Sequence, residues 1–444
     1  MDMKKRVLKT IGRLLVVIIT SGCIDFSVAY AQEKEIDSQI IVGSDMAGQE
    51  LANLISENVD GVKVEVLEQY DSEMTLIQLK GKGNLDNILT EIESESGVEF
   101  AQVDYTMSCE KNLQEIEPED SYFIYQWGLH NNGQLIGDYG VEGVDINVYP
   151  AWQITEGNNN VIIGVLDSGV DINHEDLQDS IYVNQNEIPN NGIDDDNNGY
   201  IDDVNGWNFF DNDNTVFSSM YEDFHGTFVA GIIAADKNNF GICGVAPNVK
   251  IMPLKFISTT EGNTSDAIKA IEYAGKMGVD IINCSWGGYD YNKALKKVMK
   301  KSNILFVCSS GNEANCTDEK EVYPTCFNIN NILTVGAINN QGALESFSNY
   351  GSDVDVAAPG MNVVGTIPGN GYLFGAGTSY AAPYVTGIAA LIKSVKPDST
   401  YKEIKKAIVK HVVVEEELQG KINTSGRVDA YSSVKYVMDK YKLW

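Results

Sequence analysis

From Val161 onward, short apolar runs alternate with longer stretches of helical periodicity. Val161–Asp167, Lys250–Ile257, Val279–Cys284, Ile304–Cys308 and Ile332–Gly336 read as strands, and Thr264–Met277, Asn292–Lys301, Thr378–Val395 and Tyr401–Val412 read as helices. A strand that is apolar throughout needs cover on both faces. The alternation therefore predicts an α/β fold, a mostly parallel sheet with helices on both faces. Open sheets of this kind carry their chemistry just beyond the carboxyl ends of the strands.

The polar residues at those places form a set. Asp167 closes the run Val161-Ile-Ile-Gly-Val-Leu-Asp167. His225 opens a small-residue helix, His225-Gly-Thr-Phe-Val-Ala-Gly231, and Ser379 sits in Gly377-Thr-Ser-Tyr-Ala-Ala-Pro383, at a helix start where backbone N–H groups are free. A serine hydroxyl is a poor nucleophile at neutral pH unless a base takes its proton and a third group orients that base. His225 and Asp167 supply those two groups. Asn312 follows Ser309-Ser310-Gly311 directly after another strand.

The order Asp, His, Ser with these local sequences resembles the subtilisin-like serine proteases, over roughly Asp120 to the C-terminus. The resemblance implies a subtilisin-like peptidase domain over residues 118–444 with an Asp167–His225–Ser379 triad. It also implies that Asn312 donates its side-chain amide to the oxyanion, together with the backbone N–H of the nucleophile. Ser285-Trp286-Gly287-Gly288 matches the edge segment that pairs with extended peptide. Ser310-Gly311 would form the facing wall, and Val322 the pocket floor. Three positions depart from the family pattern: Tyr380 stands where methionine is frequent, Phe228 replaces a second histidine, and Ser309-Ser310 replaces an alanine pair. Gly426-Arg-Val-Asp-Ala430 resembles the closing segment of the family, which leaves no room for a large further domain. Two other readings compete: a sedolisin-type acid peptidase with a glutamate base, against which His225-Gly-Thr argues, and a catalytically silent calcium-binding or adhesion protein.

Upstream, Lys4, Lys5, Arg6, Lys9 and Arg13 precede Leu14–Ile19 and then Ala29-Tyr-Ala31, which reads as a signal peptide over 1–31 and predicts secretion. Thr20-Ser-Gly-Cys23 offers the alternative of a lipid anchor at Cys23, the one route to a membrane. Residues 32–117 follow a βαββαβ order: strands at Ile40–Val42, Val62–Leu67, Met74–Leu79 and Val98–Met107, with helices at Gln49–Asn58 and Asn84–Ser94. That order predicts a small ferredoxin-like α+β unit. Its end, Gly97–Tyr105, resembles a subtilase propeptide, which in that family assists folding and blocks the active site; an ordinary binding module is the alternative. The acidic stretch Glu110–Asp120 is the expected cleavage linker.

Two patterns suit a structural calcium ion. Asp194, Asp196, Asn198 and Asp203 place oxygen ligands in a calcium-loop pattern, with Asn205 where a bidentate glutamate belongs. Asp120, Asp176 and Asn238 match a calcium site of thermitase-like relatives. His174 reads as structural beside Asp167, and His130 and His411 as surface or core residues. The formal net charge of −31 argues against nucleic acid and leaves peptide or protein substrates and the chain's own propeptide as partners of a monomer. The seven cysteines form no Cys-x-x-Cys metal pattern. Cys243, Cys284 and Cys308 read as core residues, and Cys316 and Cys326 could bridge.

Overall fold

The computed structural model describes residues 35–70, 74–103, 118–259 and 261–443. The signal segment, Cys23, Cys109, the end of the strand expected over Val98–Met107, and residues 110–117 of the linker lie outside the described residues. The chain divides into two compact units, 1–112 and 113–444.

The first unit runs β1 (Glu35–Ser44), α1 (Gly48–Asn58), β2 (Val62–Tyr70), β3 (Met74–Lys82), α2 (Leu85–Glu93) and β4 (Val98–Val103). Its sheet has the order β2-β3-β1-β4 with every pair antiparallel, which is the ferredoxin-like arrangement. Alternation along the strands covers one face only: Ile40, Val42, Ile77 and Leu79 pack on Leu51 and Ile55 of α1 and Ile88 and Ile92 of α2. Asn84 starts α2 by accepting from the amides of Asp86 and Asn87.

The second unit is built on a nine-stranded sheet. Its centre is β5 (Ile162–Asp167), β6 (Lys250–Lys255), β7 (Ile281–Cys284), β8 (Leu305–Ser309), β9 (Ile332–Ile338) and β10 (Val356–Pro359), in the spatial order β10-β9-β8-β7-β5-β6 and parallel throughout. Trp207–Asn208 extends the β6 edge, and Gly426–Arg427 extends the β10 edge, with Val413–Val414 antiparallel beyond it. The hairpin of β11 (Val363–Ile367) and β12 (Gly371–Gly375) stands apart. Besides a short helix at Val148–Trp152, the helices are α3 (Phe224–Ala234), α4 (Thr264–Lys276), α5 (Lys293–Lys301), α6 (Thr378–Val395), α7 (Tyr401–Lys410) and α8 (Ala430–Tyr441).

The period of two sends neighbouring side chains to opposite faces. Leu305 and Val307 of β8 join a core with α3, α6, α7 and α8, whereas Phe306 and Cys308 join one with α4 and α5. This two-sided burial is why the strands read as continuous apolar runs. Among the described residues, no helix is long and apolar enough to cross a membrane.

Candidate active site

Asp167 ends β5 and is 1% exposed. Its Oδ1 accepts the N–H of Ser168 at 2.7 Å and faces Nδ1 of His225 at 2.8 Å, while Oδ2 is buried without a partner. A carboxylate only accepts, so Nδ1 carries the proton and the lone pair of the neutral ring is on Nε2. Burial pulls the imidazole pKa down, but the charge and hydrogen bond of Asp167 together outweigh it, and the net shift is upward. The loop after β5 and the start of α3 interlock: Gly226 N–H donates to Ser168 Oγ at 3.1 Å, and a Cβ on Gly226 would stand 2.2 Å from the carbonyl oxygen of Gly169. Only glycine fits after His225.

Ser379 is the second residue of α6, so its N–H belongs to the turn that has no intrahelical acceptor. Four residues later Pro383 lacks the N–H that would bond its carbonyl. Ser285 Oγ takes that carbonyl at 2.7 Å, and Ser379 Oγ donates in return to the carbonyl of Ser285 at 3.1 Å. Asn283 Nδ2 donates to Ser285 Oγ at 2.9 Å, and Asn283 Oδ1 accepts from Thr386 Oγ1 at 2.8 Å, which ties the end of β7 to α6. Asn312 follows β8. Its Oδ1 accepts from Thr378 N–H at 2.8 Å and Thr378 Oγ1 at 3.0 Å, so the oxygen is held by the start of α6 and the NH₂ group is the end of this exposed side chain free to donate.

Two of the expected substrate contacts need correction. Gly288 exchanges both backbone hydrogen bonds with Tyr323, at 2.9 and 2.8 Å, so its N–H is already engaged within the fold. Ser310 is fully buried, its Oγ donates to the carbonyl of Asn349 and its own carbonyl accepts from Asn349 Nδ2, so its side chain is turned into the fold, whereas Gly311 is half-buried. Val322 is buried against Gly287, where a Cβ would be 3.1 Å from its Cγ1. Trp286 packs edge-on against Phe256 with ring centroids 4.9 Å apart, in a groove of about 960 Å³ that also includes Leu295 and Tyr323. Phe228 and Tyr380, two of the departures, account for each other. Their ring centroids are 4.1 Å apart, Tyr380 lies 5.7 Å from the His225 ring, and a Cβ on Gly365 would stand 2.4 Å from Phe228.

The acidic residues form two groups. Glu187, Asp194 and Asp196 bring carboxylate oxygens within 4.8 Å of one another. Glu187 was not apparent from the loop pattern; it lies ahead of the loop, its Oε1 accepting from the Asp195 and Asp196 N–H groups and its Oε2 from Asp202 N–H. Asp203 stands outside that cluster, its Oδ2 accepting from Tyr273 Oη at 2.5 Å and from Asn198 Nδ2 at 2.9 Å. In the second group Asp120 and Asp176 are buried, and Asp120 Oδ2 and Asp176 Oδ1 have no hydrogen-bond partner. Asn238 contributes its backbone N–H to Asp120 at 3.1 Å, with its side-chain oxygen held by Phe240 N–H. Burial, and then the charge of Asp120, push the Asp176 carboxyl up to about 8. Two orphaned carboxylate oxygens in one buried place fit a hard cation.

His174 is fully buried, its Nδ1 accepting from Asp176 N–H and its Nε2 facing Gly371 O, a structural role. Cys316 and Cys326 are both free thiols. The anticipated bridge is absent: Cys326 Sγ accepts from Val322 N–H and Cys316 Sγ faces Asp318.

Residues 158–430 match the subtilase family. A thermophilic serine proteinase of Bacillus sp. (strain AK1) is 29% identical over 427 residues, spanning 93% of this chain and 91% of that protein. Subtilisin E of Bacillus subtilis (strain 168) is 33% identical over 305 residues, 67% of this chain and 71% of that one. Among solved structures, a protease of Pseudoalteromonas arctica PAMC 21717 superposes with a TM-score of 0.57 at 26% identity, covering 72% of this chain and 99% of that one. With a parallel sheet whose inner strand β5 ends at Asp167, with His225 and Ser379 at the starts of two helices, and with a family match over residues 158–430, the chain belongs to the subtilase family. It is a subtilisin-like serine endopeptidase, which sets aside the acid-peptidase and non-enzymatic readings.

Proposed function

We propose that the enzyme is exported, is made as an inhibited precursor, and cuts peptide bonds with Ser379 as nucleophile, His225 as base, Asp167 as the group that orients it and Asn312 as an oxyanion donor. The observation that carries this reading is the 2.8 Å hydrogen bond from His225 Nδ1 to a buried Asp167, with Ser379 at the mouth of a helix. In the proposed cycle the Ser379 hydroxyl exchanges the Ser285 carbonyl for Nε2 of His225. Its proton passes to Nε2 as Oγ bonds to the scissile carbon, and the carbonyl oxygen takes the negative charge beside the Asn312 amide and the Ser379 N–H. His225 then returns the proton to the leaving amine as the C–N bond breaks. Water, deprotonated by the same base, releases the acyl group.

The basic and apolar N-terminus supports export, and the ferredoxin-like unit ahead of an acidic linker supports a removable propeptide. Calcium would be held by Glu187, Asp194 and Asp196 and by Asp120 and Asp176; it supplies positive charge to acids that otherwise repel one another, and takes no part in the reaction. Ser379→Ala tests the reading directly. It should abolish labelling by a fluorophosphonate and leave the propeptide attached by intact mass; a variant that still labels or matures like the wild type would refute the assignment.

A further inference from the structure

Lys255 is the last residue of β6, fully buried, and paired in register with Asp167 on β5. Its Nζ lies 2.6 Å from Oδ1 of Asp223, which is also fully buried, and 2.8 Å from Ser218 Oγ; the half-buried Glu222 is further off at 3.7 Å. Asp223 precedes His225 by two residues and occupies the cap position of α3. An aspartate there ordinarily accepts from the first amides of its own helix. This one makes no such bond: Oδ2 accepts from the N–H groups of Ser218 and Ser219 at 2.5 and 2.8 Å, and Oδ1 meets the ammonium. Only its backbone carbonyl serves α3, accepting from Thr227 N–H at 3.2 Å and Thr227 Oγ1 at 2.7 Å.

The connections close a ring. Asp167 bonds His225, two residues of chain lead back to Asp223, Asp223 pairs with Lys255, and Lys255 lies beside Asp167 on the neighbouring strand. We infer that Lys255 and Asp223 are positioning residues for the reaction: their ion pair fixes the start of α3 to the strand edge that carries Asp167, and so fixes the distance and angle of the Asp167–His225 hydrogen bond. A buried pair of this kind adds little stability over an apolar replacement, which leaves geometry as its contribution. Ser218, held by both partners, extends the brace into the loop before α3. The inference rests on the triad reading above.

Removing one partner leaves a buried charge unpaired, so Lys255→Met alone risks misfolding. The paired variant Lys255→Met/Asp223→Asn keeps an acceptor for the Ser218 and Ser219 amides and buries no charge. In that variant, shown to be folded by its circular dichroism, kcat should fall about a hundredfold with KM little changed, the loss typical of a small misplacement of a reacting group. The acid limb of the pH–rate profile should move down toward an ordinary histidine, and the low-field proton resonance of the His225 Nδ1–H should weaken. Lys255→Arg, which keeps the charge, should recover part of kcat. Wild-type kcat and an unmoved limb in the folded paired variant would overturn the brace, whereas full activity of His225→Ala would instead overturn the triad.

Discussion

Asp167 and Asp176 are both buried in the same unit, and each has one carboxylate oxygen that no hydrogen bond reaches, yet their surroundings assign them opposite work. Asp167 faces an imidazole that can take up positive charge. Asp176 faces a backbone amide, a tyrosine hydroxyl and a second acid, Asp120, none of which can neutralise it. The difference teaches that what a buried aspartate does is set by whether its counter-charge is built into the fold or must come from solution.

The largest effect that would sharpen this contrast is Asp167→Asn. With the orienting acceptor replaced, kcat/KM should drop about 10⁴-fold while the melting temperature moves little; a loss of folding instead would make Asp167 as structural as Asp176. Next comes chelation. Saturating calcium stabilises the folded state by RT ln(1 + [L]/Kd), about 2.7 kcal/mol at a hundredfold excess, so chelator should lower the melting temperature by about 5–10 °C. The loss has a predicted pH dependence. The Asp176 carboxyl titrates near 3.8 when unfolded and up to about 8 when folded. Between those values the folded chain binds the extra proton, so chelated protein loses stability as pH rises through that window. Calcium should flatten the dependence, and melting curves at pH 5 and pH 8 with and without chelator would show it.

A smaller effect concerns the base. Because Asp167 raises the His225 pKa above its ordinary 6.5, imidazolium persists to higher pH, and the acid limb of kcat/KM should lie above that value and fall back in any folded variant that weakens the pair. The smallest is Asp176→Asn: the melting temperature should respond less to pH, Asp236 and Asp120 still being shifted upward, and less to calcium, with the initial rate of peptide cleavage unchanged. A changed rate would join the two regions that the contrast separates.

The sheet was legible because strands buried on both faces leave long apolar runs, and the ends differ by only a residue or two. The run Lys250–Ile257 stops as β6 at Lys255: Phe256 N–H still donates to Asp167 O, but Ile257 turns away to pair with Gly262 in a separate two-residue hairpin. Asp167, His225, Asn312 and Ser379 were legible as candidates because each lies in a local pattern that a strand end or helix start imposes. The rest depends on contacts that local sequence does not encode. Ser310 is drawn inward by Asn349, 39 residues away, and the partner of Lys255 lies 32 residues before it. The one signal for Lys255 was a charge inside the apolar run Lys250–Ile257, with no acidic residue within that run to pair it. Glu187 was hidden because the loop pattern assigns its glutamate to the far end.

The fit between Phe228 and Tyr380 also constrains how this active site can change over evolutionary time. With Gly365 pressed against one ring and Gly375 against both, none of the four positions has an independent history: enlarging either glycine collides with an aromatic, and shrinking either aromatic opens a hole beside the imidazole. Changing one of the four positions alone therefore carries a packing penalty that a paired change can avoid. A library that varies these sites one at a time would return few active clones, whereas one that varies them together would return more.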